Sequence, residues 1–234
     1  MRISGLVKSS TVDYPGMLSA IIFTPGCNLD CFYCHNRMLL TDQPPLIDKA
    51  DVIAFLEKRR NLLDGVVFSG GEPTLQAGLA DMIGEVRHLG YKVKLDTNGA
   101  RPQVLRLLLE HRLLDYVAID CKAPWHRYPE ICGCSARDVD AIRQSFQLLA
   151  DTDLSSGFAW EARTTVIPQL SPADLVEIAC GLPAAPHYFL QRYIKPGLYR
   201  PADRFRLDAA AMTPAQMVLL TEDLRTCQAN VQIR

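Results

Sequence analysis

The chain has 234 residues, 48% of them hydrophobic, with eight cysteines and a formal net charge of −1. That length fits one α/β domain or a small α/β barrel, with enough apolar residues for a real core. The near-neutral charge offers no bulk attraction to nucleic acid or an anionic membrane, and no apolar run reaches bilayer-spanning length.

The first residues, Met1-Arg2-Ile3-Ser4-Gly5-Leu6-Val7, show neither a long apolar core nor a small-residue cleavage site, so a cytoplasmic protein is expected. Residues 1–17 form an opening segment. Ile3, Leu6 and Val7 suit a short strand, and Thr11-Val12-Asp13-Tyr14-Pro15-Gly16 reads as a turn-rich loop. Leu18–Phe23 is an apolar run of strand length. It leads straight into Thr24-Pro25-Gly26-Cys27-Asn28-Leu29-Asp30-Cys31-Phe32-Tyr33-Cys34-His35-Asn36.

This loop carries three cysteines as C-x3-C-x2-C. A four-iron iron–sulfur cluster is normally held by four thiolates. Three in one loop leave one iron open, and an open position marks a catalytic metal centre. Two other readings compete. Offsets of four and seven also fall on one face of a helix, although Pro25-Gly26 argues for a turn. A zinc site would need a fourth ligand, and adjacent Cys34 and His35 suit one tetrahedral ion poorly. Cys121, Cys132, Cys134, Cys180 and Cys227 are scattered. That distribution favours a reducing compartment with metal or redox use over a disulfide scaffold.

A connector, Thr41-Asp42-Gln43-Pro44-Pro45, leads to a helix through Val52, Ile53, Phe55, Leu56, Leu62 and Leu63. Val66–Phe68 is a short buried strand ending in Ser69-Gly70-Gly71-Glu72-Pro73. A helix over about 75–88 closes at Gly90. Tyr91–Leu95 alternates like a strand and ends in Asp96-Thr97-Asn98-Gly99. A leucine-rich helix runs from Arg101-Pro102 to about Leu114, and the strand Tyr116–Ile119 ends in Asp120-Cys121-Lys122. Residues 123–136 are irregular. A helix over about 138–150 precedes the strand Trp160–Ile167. Ser171-Pro172, with Asp174, is a helix start. His187–Gln191 is a sixth strand, 195–208 a polar loop, and Thr213-Pro214 starts a final helix to about Ala229.

Strand and helix thus alternate about six times, which implies βαβ units, right-handed crossovers and a parallel sheet. The expected fold is α/β, a partial (β/α)6 parallel barrel in a single domain over 1–234, with residues 195–234 as a C-terminal loop and helix. The cysteine loop, Ser69–Glu72, Asp96–Gly99 and Asp120–Lys122 all follow strand ends, where parallel barrels build active sites.

Each motif has a plainer alternative. Gly70-Gly71 lets a backbone approach a ligand closely but is also an ordinary turn. Asp96–Gly99 suits an Asx-type turn and helix cap. Asp120 and Lys122 suit a surface pair, or a grip on a ligand carboxylate and a counter-ion. Arg163 either faces solvent or has a buried anionic partner. Cys132-Gly133-Cys134 reads as structural or incidental, with an auxiliary cluster as the lesser alternative. His35 and His126 have no evident partner.

Cys27–Cys34 with Tyr33, followed by Gly70-Gly71-Glu72, resembles the radical S-adenosylmethionine superfamily. Thr11–Gly16, Tyr33–Asn36, Phe68–Gln76, Lys94–Gly99 and Asp120–Lys122 resemble more particularly the glycyl-radical-enzyme activases, and among them the anaerobic ribonucleoside-triphosphate reductase activating proteins. The likeness covers about residues 1–195. It implies that Cys27, Cys31 and Cys34 hold one [4Fe-4S] cluster per chain, with Lys122 counted beside them as catalytic. It implies an S-adenosylmethionine site drawn from Tyr33 and His35, from Gly70, Gly71 and Glu72, and from Asp96, Thr97 and Asn98. Asp120, Lys122 and Arg163 complete that set. In this reading Tyr33 lies near the adenine, Gly70–Glu72 meet the methionine ammonium, and Lys122 meets its carboxylate. Asp13 falls near the target glycine loop.

Two positions depart from the pattern. Tyr14 stands where pyruvate formate-lyase activases carry glycine, and Gln191 or Arg192 stands where an adenine-side histidine is found. The implied function is an anaerobic oxidoreductase that makes a glycyl radical on a partner enzyme, an anaerobic ribonucleotide reductase. The implied electron donor is of the reduced flavodoxin or ferredoxin type. Three alternatives stay open: a pyruvate formate-lyase-like partner, a small-molecule substrate, and a metal-binding adaptor without enzyme activity.

Overall fold

The computed structural model describes residues 1–41 and 44–234; Asp42 and Gln43 of the expected connector lie outside the described residues. One eight-stranded sheet, in the order β1 to β8, organises the chain. Strand β1 (Gly5–Ser10) runs antiparallel to β2 (Ser19–Thr24). From β2 onward every neighbour is parallel: β3 (Gly65–Gly70), β4 (Lys92–Thr97), β5 (Tyr116–Asp120), β6 (Ala159–Val166), β7 (Tyr188–Arg192) and β8 (Val231–Ile233).

The crossovers carry helices α1 (Lys49–Lys58), α2 (Leu79–His88), α3 (Pro102–Glu110), a short α4 (Tyr128–Cys132), α5 (Ala136–Ala150), α6 (Pro172–Gly181), a short α7 (Arg204–Leu207) and α8 (Pro214–Leu224). Consecutive strands lie side by side, as short β-α-β crossovers dictate. The result is α/β, a partial parallel barrel with helices on its outer side. The first helix ends at Lys58, short of the expected Leu62 and Leu63, where the chain turns instead, and three elements are additions to expectation. Residues 123–136 hold α4, the loop 195–208 holds α7, and the chain adds β8 after its last helix. A three-residue strand carries too short a pattern to read.

The two faces of the sheet differ in chemistry. Outward residues Ile22, Phe68, Val93, Leu95, Ile119, Trp160 and Leu190 join the helices in one apolar core. Burying a side chain such as Trp160 or Phe68 contributes about 1.5–3 kcal/mol. The inward face begins apolar, where Tyr14, Ile21, Val67 and Tyr116 form a small second cluster. It then turns charged along β4, β5 and β6, with Lys94 and Glu161 almost wholly buried. Gly65 makes room for this floor: a Cβ there would stand 2.9 Å from the Tyr14 ring.

Helix starts follow the expected chemistry. Ser171 and Asp174 form a capping box on α6, and Thr213 and Gln216 form one on α8. A disulfide joins Cys180, at the end of α6, to Cys227 beyond α8. That corrects the reading of the scattered cysteines: two positions 47 apart meet because α6 and α8 are neighbours. Beside it, buried Gln228 donates to the carbonyls of Ala179 and Pro183 and accepts from the Ala185 amide, at 2.9, 3.1 and 3.0 Å. No helix among the described residues is long and apolar enough to cross a membrane.

Candidate active site

The cysteine loop is not a helix; residues 25–36 are turns and irregular backbone, which removes the one-face-of-a-helix alternative. It is stitched to the loop after β3. The Gly71 amide donates to the Thr24 carbonyl at 2.9 Å, and the Glu72 amide to the Gly26 carbonyl at 2.8 Å. The Asn36 side chain reaches the Gly70 carbonyl at 2.8 Å, and Gln76 reaches that of Pro25 at 2.7 Å. The paired glycines serve this contact. A Cβ on Gly70 would lie 2.3 Å from the Thr24 nitrogen, and one on Gly71 2.0 Å from the Gly26 oxygen. Their lack of a Cβ thus lets two backbone loops touch.

At the C-terminal mouth of the strands lies a cavity of about 500 Å3. Cys27, Cys31 and Cys34 line it from the β2 side, with Tyr33 and His35. Gly70, Gly71 and Glu72 follow from β3, and Asp96, Thr97 and Asn98 from β4. Asp120 and Lys122 from β5 and Arg163 from β6 close the opposite wall. Asp13, Thr165 and Gln191 reach the same space, so of the two residues at the end of β7 it is Gln191 that faces inward; Arg192 is exposed.

Glu72 is fully buried and ties two loops together. It accepts from the Asn98 amide at 2.7 Å, the Thr97 hydroxyl at 2.8 Å and the Thr74 amide at 3.0 Å, and from the Thr74 hydroxyl. Burial raises its pKa, and these donors oppose the rise. The turn at 96–99 is present, with Asn98 Oδ1 accepting from the Ala100 amide at 2.9 Å, but Arg101 caps α3 without a side-chain bond.

The far wall is a ladder of charge. Lys94 pairs with Asp96; Arg163 reaches Asp120 at 2.9 Å and Asp96 at 3.3 Å; Lys122 reaches Asp120 at 2.9 Å. Glu161, below Arg163, takes the Tyr116 hydroxyl at 2.7 Å and Arg234 at 3.2 Å. Burial would raise the Asp120 pKa, but the Arg163 guanidinium and Lys122 ammonium bring it down to about 2. The same pairing outweighs desolvation at Lys122 and holds its pKa well above the ordinary range. Asp96 and Asp120 thus stay ionised, and Lys122 and Arg163 stay charged. Neither Lys94 nor Glu161 was expected among the site residues, although Lys92-Val93-Lys94-Leu95-Asp96 alternates polar residues onto one face of β4.

Around the thiols the donors are specific. Cys27 Sγ accepts from the Leu29 amide at 3.4 Å and from Asn98 Nδ2 at 3.6 Å. Burial, with Glu72 nearby, pushes its thiol up to about 12, and burial also raises Cys34. Cys31 is lowered, chiefly by a hydrogen bond from Cys132. Cys132 also meets the cysteine loop through its backbone. The Asp30 amide donates to its carbonyl at 2.8 Å. Nothing in the spacing of 101 positions could have paired it with Cys31. Among the described residues no group of three or more His, Cys, Asp or Glu side chains is placed to hold a metal ion as it stands. A four-iron cluster takes its ligands at separate corners and does not ask them to converge on one point.

Comparison with known proteins bears on this arrangement. Residues 21–179 match the family described as the radical SAM superfamily. A candidate glycyl-radical enzyme activating enzyme of Methanocaldococcus jannaschii is 34% identical over 196 residues, 82% of this chain and 79% of that protein. A candidate GTP 3′,8-cyclase of Saccharolobus solfataricus is 32% identical over 133 residues, 55% of this chain; the chain spans only 43% of that protein. Among solved structures, Streptococcus suis SuiB bound to S-adenosylmethionine superposes with a TM-score of 0.65 at 15% identity, covering 92% of this chain and 51% of that one. TYW1 with a lysine-pyruvate adduct gives 0.62 at 16% identity, covering 90% and 74%. At such identities these two report the fold alone.

Proposed function

Because this chain belongs to the radical SAM superfamily, we propose that it is a glycyl-radical-enzyme activase whose partner is an anaerobic ribonucleoside-triphosphate reductase. The observation that carries the proposal is the single cavity into which Cys27, Cys31 and Cys34 open together with Glu72, Lys122 and Arg163. The 34% identity to a candidate activase, spread over most of both chains, favours a protein partner over a small substrate.

The residues present fit a four-iron cluster with S-adenosylmethionine beside it. Three thiols share one wall, and two N–H groups already aim at the Cys27 sulfur, as suits a thiolate ligand. On the same wall the Tyr33 hydroxyl is buried without a hydrogen-bond partner, so a polar ligand would satisfy it. Such a cluster, when bound and reduced, would supply the one-electron reductive cleavage of S-adenosylmethionine that hydrogen-atom removal from the partner's glycine requires.

The chain's own residues bind, orient and enclose. Cys27, Cys31 and Cys34 would hold three irons and leave the fourth free. Lys122 and Arg163 present positive charge to the methionine carboxylate. Their pairs with Asp120 and Asp96 keep both cations in place before the ligand arrives. The Ser69–Gly71 backbone and the carboxylates of Asp96 and Asp120 suit the ammonium. Tyr33, His35 and Gln191 frame the adenine end, and Asp13 borders the side where a glycine loop would enter. Glu72, Thr97 and Asn98 act through the loops they lock together. A reduced flavodoxin or ferredoxin suits the role of electron donor.

Anaerobic reconstitution tests the proposal. Four irons per chain, S-adenosylmethionine cleavage under reductant, and a glycyl radical signal from a mixed candidate reductase are the expected results. Alanine at Cys27, Cys31 or Cys34 is expected to abolish cluster binding and cleavage. One zinc per chain with no cleavage would favour the adaptor reading. Cleavage with no glycyl signal from any such partner would favour a small-molecule substrate.

A further inference from the structure

The stretch between β7 and α8 folds back on the cysteine loop as a strap. The Tyr193 hydroxyl donates to the Leu207 carbonyl at 3.1 Å and ties the two ends of residues 193–207 together. The inner side grips the loop. Arg200 pairs with Asp30, which stands between Cys27 and Cys31 and also takes Arg37 at 2.6 Å. The Arg206 guanidinium lies 3.7 Å from the centre of the Phe32 ring, next to Cys31. Gln169 anchors the strap by donating to the Arg206 carbonyl at 2.8 Å.

The outer side is exposed and positive. Between residues 192 and 208 five cations stand against two acids, in a chain whose total charge is −1. Asp203 is buried against Arg200, so the acid left outside is Asp208, shared by Lys195 and by Arg204 at 3.5 Å. Among these cations Ile194, Leu198 and Phe205 are exposed, Phe205 by 77%. Exposed apolar and aromatic side chains among arginines are the make-up of a protein docking surface. Opposite charge on the partner steers the encounter.

The position of this surface selects its partner. A glycine of the partner enzyme must enter the cavity, on the side of Asp13. An electron has only to reach the cysteine loop, and the strap lies against that loop from outside. We propose that the outer face of the strap is the docking site of the electron donor, a small acidic redox protein whose negative surface meets Lys195 and Arg204 and whose apolar contact is Phe205. The donor is oxidised by one electron and the cluster is reduced by one; no covalent bond forms or breaks. The proposal rests on the cluster reading above.

The test uses the anaerobically reconstituted chain with a flavodoxin and a ferredoxin, both of net negative charge. Equilibrium titration gives their affinity, bleaching of the cluster gives the rate of reduction, and dithionite serves as a reductant that needs no docking. A double variant, Lys195→Glu with Arg204→Glu, is expected to bind at least one of the two proteins about tenfold more weakly than the wild type at low salt, with the gap closing as salt rises. Asp208→Asn removes the outer acid and is expected to tighten binding. Phe205→Ala is expected to weaken it at every salt concentration. All variants should keep four irons and the wild-type rate of reduction by dithionite. No binding of either protein by the wild type, or equal binding by wild type and charge-reversed variant, would overturn the proposal and leave the cluster reading intact. Slower reduction by dithionite in proportion to the loss of binding would overturn it as well, by tracing the effect to a loosened cysteine loop. Binding to anionic phospholipid vesicles that is lost in the charge-reversed variant while protein binding is unchanged would assign the surface to a membrane instead. A wild type that binds no four-iron cluster would remove both readings.

Discussion

Arg163 Nε stands 2.9 Å from Asp120 Oδ1, and the same guanidinium reaches Asp96, so one cation links the ends of three neighbouring strands. Its removal leaves Asp120 with Lys122 alone and Asp96 with Lys94 alone inside the barrel. Breaking a buried ion pair by removing one partner costs about 3–5 kcal/mol. Arg163→Met is therefore expected to unfold at markedly lower urea concentration than the wild type at neutral pH.

The same link sets a pH dependence. The Asp120 pKa is about 2 in the folded chain, below the ordinary value of about 4. A depressed carboxylate contributes stability that is complete above its unfolded pKa and lost as pH falls through the folded one. The wild type is expected to hold this contribution above about pH 4 and lose it toward pH 2. In Arg163→Met only Lys122 still lowers the Asp120 pKa and the contribution is smaller, so the two urea midpoints should draw closer as pH falls from about 4 to about 2. A constant gap would contradict the assignment.

Gly71 packs against the cysteine loop, with its missing Cβ 2.0 Å from where the Gly26 oxygen stands. Gly71→Ala forces the two loops apart. The expected result is loss of about 1–3 kcal/mol, together with reduced iron uptake on reconstitution. A variant that folds normally and binds four irons would show that the loops can separate freely.

Lys122 already has a carboxylate partner but lies on the cavity wall. Lys122→Met is expected to fold, because Arg163 still neutralises Asp120. Its affinity for S-adenosylmethionine should fall about tenfold to a hundredfold, the effect of a charged hydrogen bond. Equilibrium binding to the reconstituted protein measures it.

Gln228 answers a stability question apart from the site. Gln228→Ala leaves the buried Ala185 amide and the Ala179 and Pro183 carbonyls without this partner, at about 1–3 kcal/mol. The measured loss should be similar with the Cys180–Cys227 bridge oxidised or reduced, because these hydrogen bonds do not pass through it.

The alternation of β4 to β6, the Ser171–Asp174 cap and the glycine breakers are local signals, and most of the fold could be read from them. So could most of the residues that reach the cavity, because they lie at or just past strand ends and parallel strands bring their ends together; Arg163, inside β6, could not be oriented from its position alone. What escaped notice depends on contacts between distant segments. Cys132 meets Asp30 only through the turn at Gly133, and Cys180 meets Cys227 only because α6 and α8 pack together. Gly70 and Gly71 suggested an approach to a ligand, but the nearest obstacle to a side chain there is the chain's own backbone. Strand β8 is too short to show a period and forms because β7 offers it an edge.

The strands run in one line from β1 to β8, and among the described residues no ladder joins the two outermost strands. A closed barrel has a girth set by its strand count and stagger. A slotted one has no such constraint. Its circumference can widen or narrow through small changes in sheet twist, with every backbone hydrogen bond between neighbouring strands kept. Breathing of the mouth, enough to admit or release a bulky guest, therefore draws on the soft bending of the sheet and not on its rupture.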